Sequence, residues 1–393
     1  MPKRTTLTKK VPGESVSRER AALIVEHSKT KRVTSYVPEI VFYVFLLILL
    51  ITGTYSRNNI WNSGIELWTD CVKKSPNKDR PHNNLGYAYT LAKKYQEAIA
   101  QFIEALRINP NYAEAHNNLG ILYTDQGRYQ EARVQFTEAL RINPYYSEAL
   151  NNLGIVYTYQ GKHLEAIVQF AEALRINPYY PEVLDNLGIV YTYQGNYQEA
   201  IAQFVAALRI NPNYAEARKN LGIVYTDLGK YQEAISQFIE ALRINPDYAE
   251  AHYHFGNAHI HQGNYQEAIA QFTEALRINP NFAEARNNLG NAYIRQGKYQ
   301  EAITQFTEAL RTNPNFAEVR NNLGNAYSDQ GRYQEAIVQF IEALRINPNY
   351  AEAHYNAGIA YLKIGDNKSA SKEYQILKKI NPGLANKFYG KTP

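Results

Sequence analysis

"EALRINPNYAEAHNNLG", residues 104–120, decides the fold, because close copies of it follow one another to the end of the chain. Ten prolines, at 76, 110, 144, 178, 212, 246, 280, 314, 348 and 382, mark the beat, each 34 residues after the last. A fixed period of roughly 20 to 50 residues is the signature of stacked units that cannot bury an apolar face alone and share one long core. Length alone would suggest two or three domains. The period overrides that count and makes residues 79–384 one array of nine units.

Within a unit the apolar spacing is helical. With position 1 at Ala113, Leu119, Gly120 and Tyr123 share one face of a first helix over 113–126. Gly127 ends it, since glycine accepts the left-handed geometry of a helix C-terminus. A second helix over 129–142 carries Ala132, Phe136, Ala139 and Leu140 inward, and Asn143-Pro144 stops it. Position 8 is glycine from Gly86 to Gly358, position 20 alanine from Ala98 to Ala370, and position 27 alanine except at Leu377. Between these small slots sit Phe102, Phe136, Phe170, Phe204, Phe238, Phe272, Phe306, Phe340 and Tyr374. Alternating small and large side chains let helices interdigitate closely. Much of the tyrosine content, 33 residues, recurs at positions 11, 17 and 34 and reads as packing.

Leu at 7, Gly at 8, Tyr at 11, Ala at 20, Phe at 24, Ala at 27 and Pro at 32 resemble the tetratricopeptide repeat. The resemblance implies an all-α, right-handed superhelical solenoid of helix-turn-helix repeats, with first helices lining a groove. It implies a module that binds peptides or partner proteins and has no catalysis and no cofactor of its own.

The ends differ from the units. "IWNSGIELWTDCVKKSPNK", 60–78, puts Gly64, Trp68 and Cys71 in slots 20, 24 and 27, so 56–78 is expected to be a half-repeat cap. Cys71, the single cysteine, excludes an intramolecular disulfide and reads as a packing residue. The last unit turns polar, "DNKSASKEYQILKKINP", as expected of an open, soluble end followed by a tail at 385–393.

Upstream lies "VPEIVFYVFLLILLITGTY", 37–55, with one charge, Glu39, at its edge. Residues 40–51 alone favour insertion by on the order of 5 kcal/mol. The span is long enough for a bilayer. A signal peptide fits less well, because 36 residues precede the segment and no clean small-x-small cleavage site follows. A buried core helix is the third alternative, and a retained transmembrane helix is the expectation. Residues 1–36 hold nine Lys or Arg against three Glu, whereas the rest of the chain holds 33 against 34, so the net +5 belongs to a basic tail that reads as disordered. The positive-inside rule then places the N-terminus in the cytoplasm and the repeats outside it. Nucleic acid is not expected as a partner, since the array offers no basic face for phosphates.

The junction "TYSRNNIWNSGIELWTDCVKKSPNKDRPHNNLG" resembles the C-terminal region of transmembrane and tetratricopeptide-repeat-containing, glycosyltransferase-like membrane proteins. Arg57, Asn58, Trp61, Leu67, Trp68, Asp70 and Pro76 carry the likeness. The multipass region that would hold their catalytic site is absent from this sequence. The chain could therefore be a C-terminal or accessory piece of such an enzyme, holding the acceptor protein.

No glycine loop for phosphates, cysteine pair or HExxH motif is present. His252, His254, His259 and His261 cluster in "HYHFGNAHIHQG". His252 falls in the slot of His82, His116 and His354, and His259 replaces a core tyrosine, so packing is the simpler reading and no metal is expected. What remains is the groove. Position 6 is Asn84, Asn118, Asn152, Asn186, Asn220, Asn288, Asn322 and Asn356 in eight units, with His254 in the remaining one. An amide offers two donors and an acceptor and can hold a peptide backbone; the row resembles the asparagine ladder of O-linked N-acetylglucosamine transferase. The alternative is that each asparagine ties neighbouring repeats together. Position 9 divides the groove: Ile121, Ile155, Ile189 and Ile223, with Tyr159 and Tyr193 at position 13, give way to Asn257, Asn291 and Asn325. Specificity for a protein or extended peptide is expected at these variable positions.

Overall fold

The computed structural model describes residues 42, 45–50 and 63–389. The chain divides into two compact units, Met1–Ile142 and Asn143–Pro393, and every described element is an α-helix. Of the expected transmembrane segment 37–55, residues 42 and 45–50 are helical with exposed side chains, and the remainder lies outside the described residues, as does the tail 1–36. No helix among the described residues is long and apolar enough to cross a membrane.

The first unit contains α1 (Gly64–Lys74), α2 (Asp79–Leu91), α3 (Tyr95–Ile108), α4 (Ala113–Asp125) and α5 (Tyr129–Ile142). Helix α1, within the segment 56–78 read as a half-repeat cap, packs on α2 and has no fully buried residue; residues 56–62 of that segment lie outside the described residues. Of the junction residues, Leu67, Trp68 and Asp70 lie on α1 and Pro76 just after it, whereas Arg57, Asn58 and Trp61 are outside the described residues.

The second unit contains α6 (Ser147–Tyr159), α7 (His163–Ile176), α8 (Pro181–Tyr193), α9 (Tyr197–Ile210), α10 (Ala215–Asp227), α11 (Tyr231–Ile244), α12 (Ala249–Gln262), α13 (Tyr265–Ile278), α14 (Ala283–Arg295), α15 (Tyr299–Thr312), α16 (Ala317–Asp329), α17 (Tyr333–Ile346), α18 (Ala351–Lys363), α19 (Asn367–Ile380) and α20 (Pro382–Tyr389). Even-numbered helices from α6 to α18 are the first helices of their repeats, and each packs on the second helix that follows it.

Two local devices set this geometry. Between the helices of a repeat, the position-15 glycine takes a positive φ, +73° at Gly229, so that the N–H of Lys230 reaches the carbonyl of Tyr225 at 2.8 Å and closes the helix end. Between repeats, the asparagine before each proline folds the chain back on itself: Asn211 Oδ1 accepts the backbone N–H of Asn213 at 3.1 Å.

The core repeats with the sequence. The position-20 and position-27 alanines are completely buried, as in Ala234 and Ala241, and the position-24 phenylalanine lies over the position-8 glycine of its own repeat. A Cβ on Gly222 would stand 2.7 Å from Cε1 of Phe238. The missing side chain is therefore a place for a ring, which is the tight approach the glycine column implied.

At the C-terminal end the structure departs from expectation. The last unit is not open: α20 folds back onto α18 and α19, with Ala385 and Phe388 each 1% exposed. Phe388 takes the ring position over Gly358, its Cε2 2.5 Å from where a Cβ would be, and Tyr374 stacks on it at 5.8 Å between centroids. Residues 385–389, read as tail, belong to this helix. Tyr374 cannot fill the phenylalanine slot in the usual way, and α20 supplies the missing ring.

Candidate functional site

The conserved-looking polar column is built as a brace between adjacent first helices. Asn186 Nδ2 donates to Asn151 Oδ1 at 2.9 Å, Asn322 to Asn287 at 2.9 Å and Asn356 to Asn321 at 2.9 Å. In the first unit Asn118 donates to Asn83 at 3.1 Å. In each of these pairs the position-6 amide bonds the position-5 side chain of the preceding repeat. Asn288 likewise reaches the position-5 hydroxyl of Tyr253 at 3.3 Å, and also donates to Asn257 at position 9, at 2.8 Å. At Asn118, Asn186, Asn322 and Asn356 one N–H is committed to holding repeats together, and an amide has a second N–H and a carbonyl to offer a ligand. Position 5 is buried beneath this brace at Asn83, Asn151, Asn287 and Asn321. The doubled asparagine of "NNLG" was the sequence signal for it, since two adjacent amides on one helix suit a pair shared with the next helix.

The column changes chemistry in mid-array. Asp185 replaces asparagine at position 5 and is 2% exposed, with Asn220 donating to both of its oxygens at 3.0 and 3.1 Å. Burial pushes its carboxyl up to about 7, against the opposing pull of Asn220. One repeat on, Lys219 occupies position 5 and pairs with Glu216 at 2.8 Å. Burial alone would raise the Glu216 carboxyl, but Lys219 and the Tyr248 hydroxyl, which donates at 2.8 Å, hold it below the usual range. His254, in place of the ladder asparagine, is pushed down to about 4 by burial, with Lys219 adding to the effect. It is a neutral imidazole at physiological pH.

Two cavities open along the first helices of the second unit. One, of about 500 Å³, is lined by Ile155, Thr158, Tyr159, Asn186, Ile189 and Tyr193, with Gly161, His163 and Phe170 at its side. The other, of about 390 Å³, is lined by Ile223, Thr226, Asp227, His254, Asn257, Ile260, His261, Asn288 and Asn291. The first chamber is one of isoleucine and tyrosine; the second combines Ile223 and Ile260 with amides, imidazoles and a carboxylate, so Ile223, grouped in the sequence with the apolar half, lies with the amides. Ile121, Asn152, Asn220, Asn325 and the remaining ladder asparagines line neither cavity. The sequence marks Tyr159 and Tyr193 at position 13 as groove residues, but does not single out Asp227 or Thr226 and shows His261 only as one of a histidine cluster. The position-12 threonines bond the carbonyl four residues back, Thr226 to Gly222 at 2.9 Å, and so add methyl groups to the lining.

The four clustered histidines do not converge. His252 bonds Gln271 at 2.8 Å and the Pro246 carbonyl at 3.2 Å, the clamp that His82 and His116 also form, and His354 repeats it with Glu373 in place of the glutamine. His259 stacks on Phe255, His254 meets Tyr253 edge-on and His261 stacks on Tyr231. Among the described residues no group of three or more His, Cys, Asp or Glu is placed to hold a metal ion.

Tetratricopeptide repeat models match residues 78–144, 113–178, 145–213, 179–247 and 226–272, and a TPR repeat model matches 256–297, 290–331 and 324–365. The chain belongs to the tetratricopeptide-repeat family. Solved structures agree on the fold of this tetratricopeptide-repeat protein. The Cut9–Hcn1 hetero-tetramer of APC/C is similar with a TM-score of 0.53 at 17% identity, over 82% of this chain and 80% of that one. A tetratricopeptide repeat protein from Parabacteroides merdae gives 0.50 at 22%, over 63% and 98%. PilW, a type IV pilus biogenesis factor, gives 0.50 at 21%, over 53% and 98%. No curated protein matches the chain.

Proposed function

We propose that this chain is a membrane-anchored scaffold that holds an extended peptide, or an extended segment of a partner protein, along the first helices of its repeats, without chemistry of its own. The tetratricopeptide-repeat fold is suited to protein and peptide binding. The observation that carries the reading is the pair of cavities lined by positions 6, 9, 12 and 13 of successive repeats. They combine apolar floor with amide donors and acceptors, the mixture that receives backbone and side chains together. One structural neighbour is itself seen in a hetero-tetramer with a second protein. The test is capture by the purified full chain in mild detergent, compared with Ile155→Arg/Ile189→Arg and with an outer-face control, Val338→Arg. A partner lost by the groove variant and kept by the control supports the reading; equal capture by all three overturns it.

Anchoring belongs to the same proposal. The apolar segment 37–55 and the basic residues before it support one membrane pass with the N-terminus in the cytoplasm and the repeats outside. Protease added to sealed vesicles or intact cells should digest the repeats and spare the tail; protected repeats would refute this orientation.

A further inference from the structure

The nine repeats are their own control, because a residue that departs from its column has been placed there against a nearly identical background. In three successive repeats of the second unit, position 13 closes the first helix: it is Tyr159 at the end of α6, Tyr193 at the end of α8 and Asp227 at the end of α10. Both tyrosines stand open to solvent, 63% and 66% exposed, at the rim of the 500 Å³ cavity, above Ile155 and Ile189. No residue lining that cavity is Asp, Glu, Lys or Arg. Ring orientation is held at one of them, since His163 stacks on Tyr193 at 5.8 Å between centroids, with 25° between planes. The neighbouring cavity begins with a carboxylate at the same position, Asp227, with His261 also in its lining.

Building on the groove reading above, we propose that this stretch recognises a left-handed polyproline helix followed by a basic residue, in the pattern Pro-x-x-Pro-x-x-Arg or -Lys, with Tyr159 and Tyr193 against the two prolines and Asp227 against the cation. Three arguments meet here. The first is pitch. Helices α6 and α8 touch directly through Asn186 and Asn151 at 2.9 Å, and α8 and α10 through Asn220 and Asp185 at 3.0 Å. Helices in direct contact lie about 8–10 Å apart. A polyproline helix advances about 9.3 Å in its three-residue turn. Equivalent side chains of successive repeats therefore meet every third residue of such a ligand, with no bending of either partner. The second is surface chemistry. Open aromatic rings over an apolar floor take proline rings, and the ligand enters already ordered, so little chain entropy is lost. The Asn186 amide borders the floor, where the unpaired carbonyls of a polyproline helix need donors. The third is charge: the neutral chamber gives way to a carboxylate one repeat later, which calls for a neutral segment ending in a cation.

Fluorescence polarisation of the full chain in mild detergent tests this, with labelled Pro-Pro-Ala-Pro-Pro-Ala-Arg as probe. Controls are the same peptide ending in Glu and the proline-free Leu-Ser-Ala-Leu-Ser-Ala-Arg. The Arg peptide should bind at least about tenfold more tightly than either control, and Tyr159→Ser or Tyr193→Ser should each weaken it by about tenfold, as loss of an aromatic anchor does. Tyr193→Phe should retain binding, and Asp227→Lys should reverse the preference between the Arg and Glu peptides. All three positions are exposed, so unchanged melting temperatures will accompany the variants. Equal binding of the proline-free peptide overturns the proposal while leaving a peptide groove in place. An Arg peptide whose binding ignores Tyr159, Tyr193 and Asp227 also overturns it. If no peptide binds and the Ile155→Arg/Ile189→Arg variant captures the same partners as the parent, both readings fall.

Discussion

At the scale of single residues, the departures from the repeat carry the most information. Lys93 holds the turn position that is glycine in all later repeats, and it keeps the same left-handed backbone, with φ of 58°. The equivalent Gly127 has nothing within 4 Å of where a Cβ would lie, so the position is open and the cost is conformational alone. An L residue pays about 1–2 kcal/mol for that region. Lys93→Gly should therefore stabilise the first unit by about 1 kcal/mol in a denaturant melt, and a loss of stability would contradict this account. The inner glycines behave oppositely. Alanine is ordinarily the better helix former by about 1 kcal/mol. At Gly222 the new methyl would meet a completely buried Phe238 ring at 2.7 Å, and at Gly358 the Phe388 ring at 2.5 Å. Neither ring has room to retreat, so Gly222→Ala and Gly358→Ala should each destabilise by about 1–3 kcal/mol. A reading from sequence makes the second site the milder one, because it treats that end as open. Comparable losses at both, measured side by side, are the outcome the packed Phe388 requires.

Between elements, the brace of paired side chains sets both how the first helices adhere and where they are weak. Asn–Asn pairs are neutral at any pH. The Asp185–Asn220 pair is not, because burial raises the Asp185 carboxyl to about 7 from the 3.8 of an exposed one. Its protonated form is thus favoured by folding: the contribution is complete below pH 3.8 and is lost as pH rises through 7. Glu216 and Glu182 add to the cost of its charge, and Lys219 opposes it. Asp185→Asn restores the pair used elsewhere in the column. It should stabilise the second unit more at pH 8 than at pH 5, with an upper bound of about 4 kcal/mol from three pKa units. A parallel pair of stability-versus-pH curves for parent and variant would refute the assignment. Helix boundaries and the small–large alternation were legible in the sequence, because proline, glycine and the apolar period state them outright. The brace was only half legible. The asparagine column was visible, but whether an amide faces a ligand or a neighbouring helix depends on the distance between two helices, which no local pattern encodes. Tyr159 and Tyr193 were readable as groove residues because they break the column. Asp227 was not, because Asp125 and Asp329 stand at the same position and make it look ordinary.

For the molecule as a whole, stability in a stack is a sum of repeat and nearest-neighbour terms, and disturbance at one end decays within a repeat or two. The C-terminal helix tests this directly. Helix α20 contacts only α18 and α19, yet it buries Phe388 and Ala385 and covers Gly358. Removing residues 382–393 exposes the Gly358 surface and takes the stacking partner from Tyr374. Burial of one phenylalanine is worth about 1.5–3 kcal/mol. That loss falls on the last repeat, whose second helix, "NKSASKEYQILKKI", has only Ala370 and Leu377 fully buried. Hydrogen exchange should then show α18 and α19 losing protection by about ten- to a hundredfold, while α10 and α11 keep theirs, since local opening free energies are set by local contacts. Phe388→Ala should reproduce the effect in part. Global loss of protection throughout the second unit would mean that its repeats melt as one body and that α20 is a keystone; no change at all would mean that the last repeat stands without its cap.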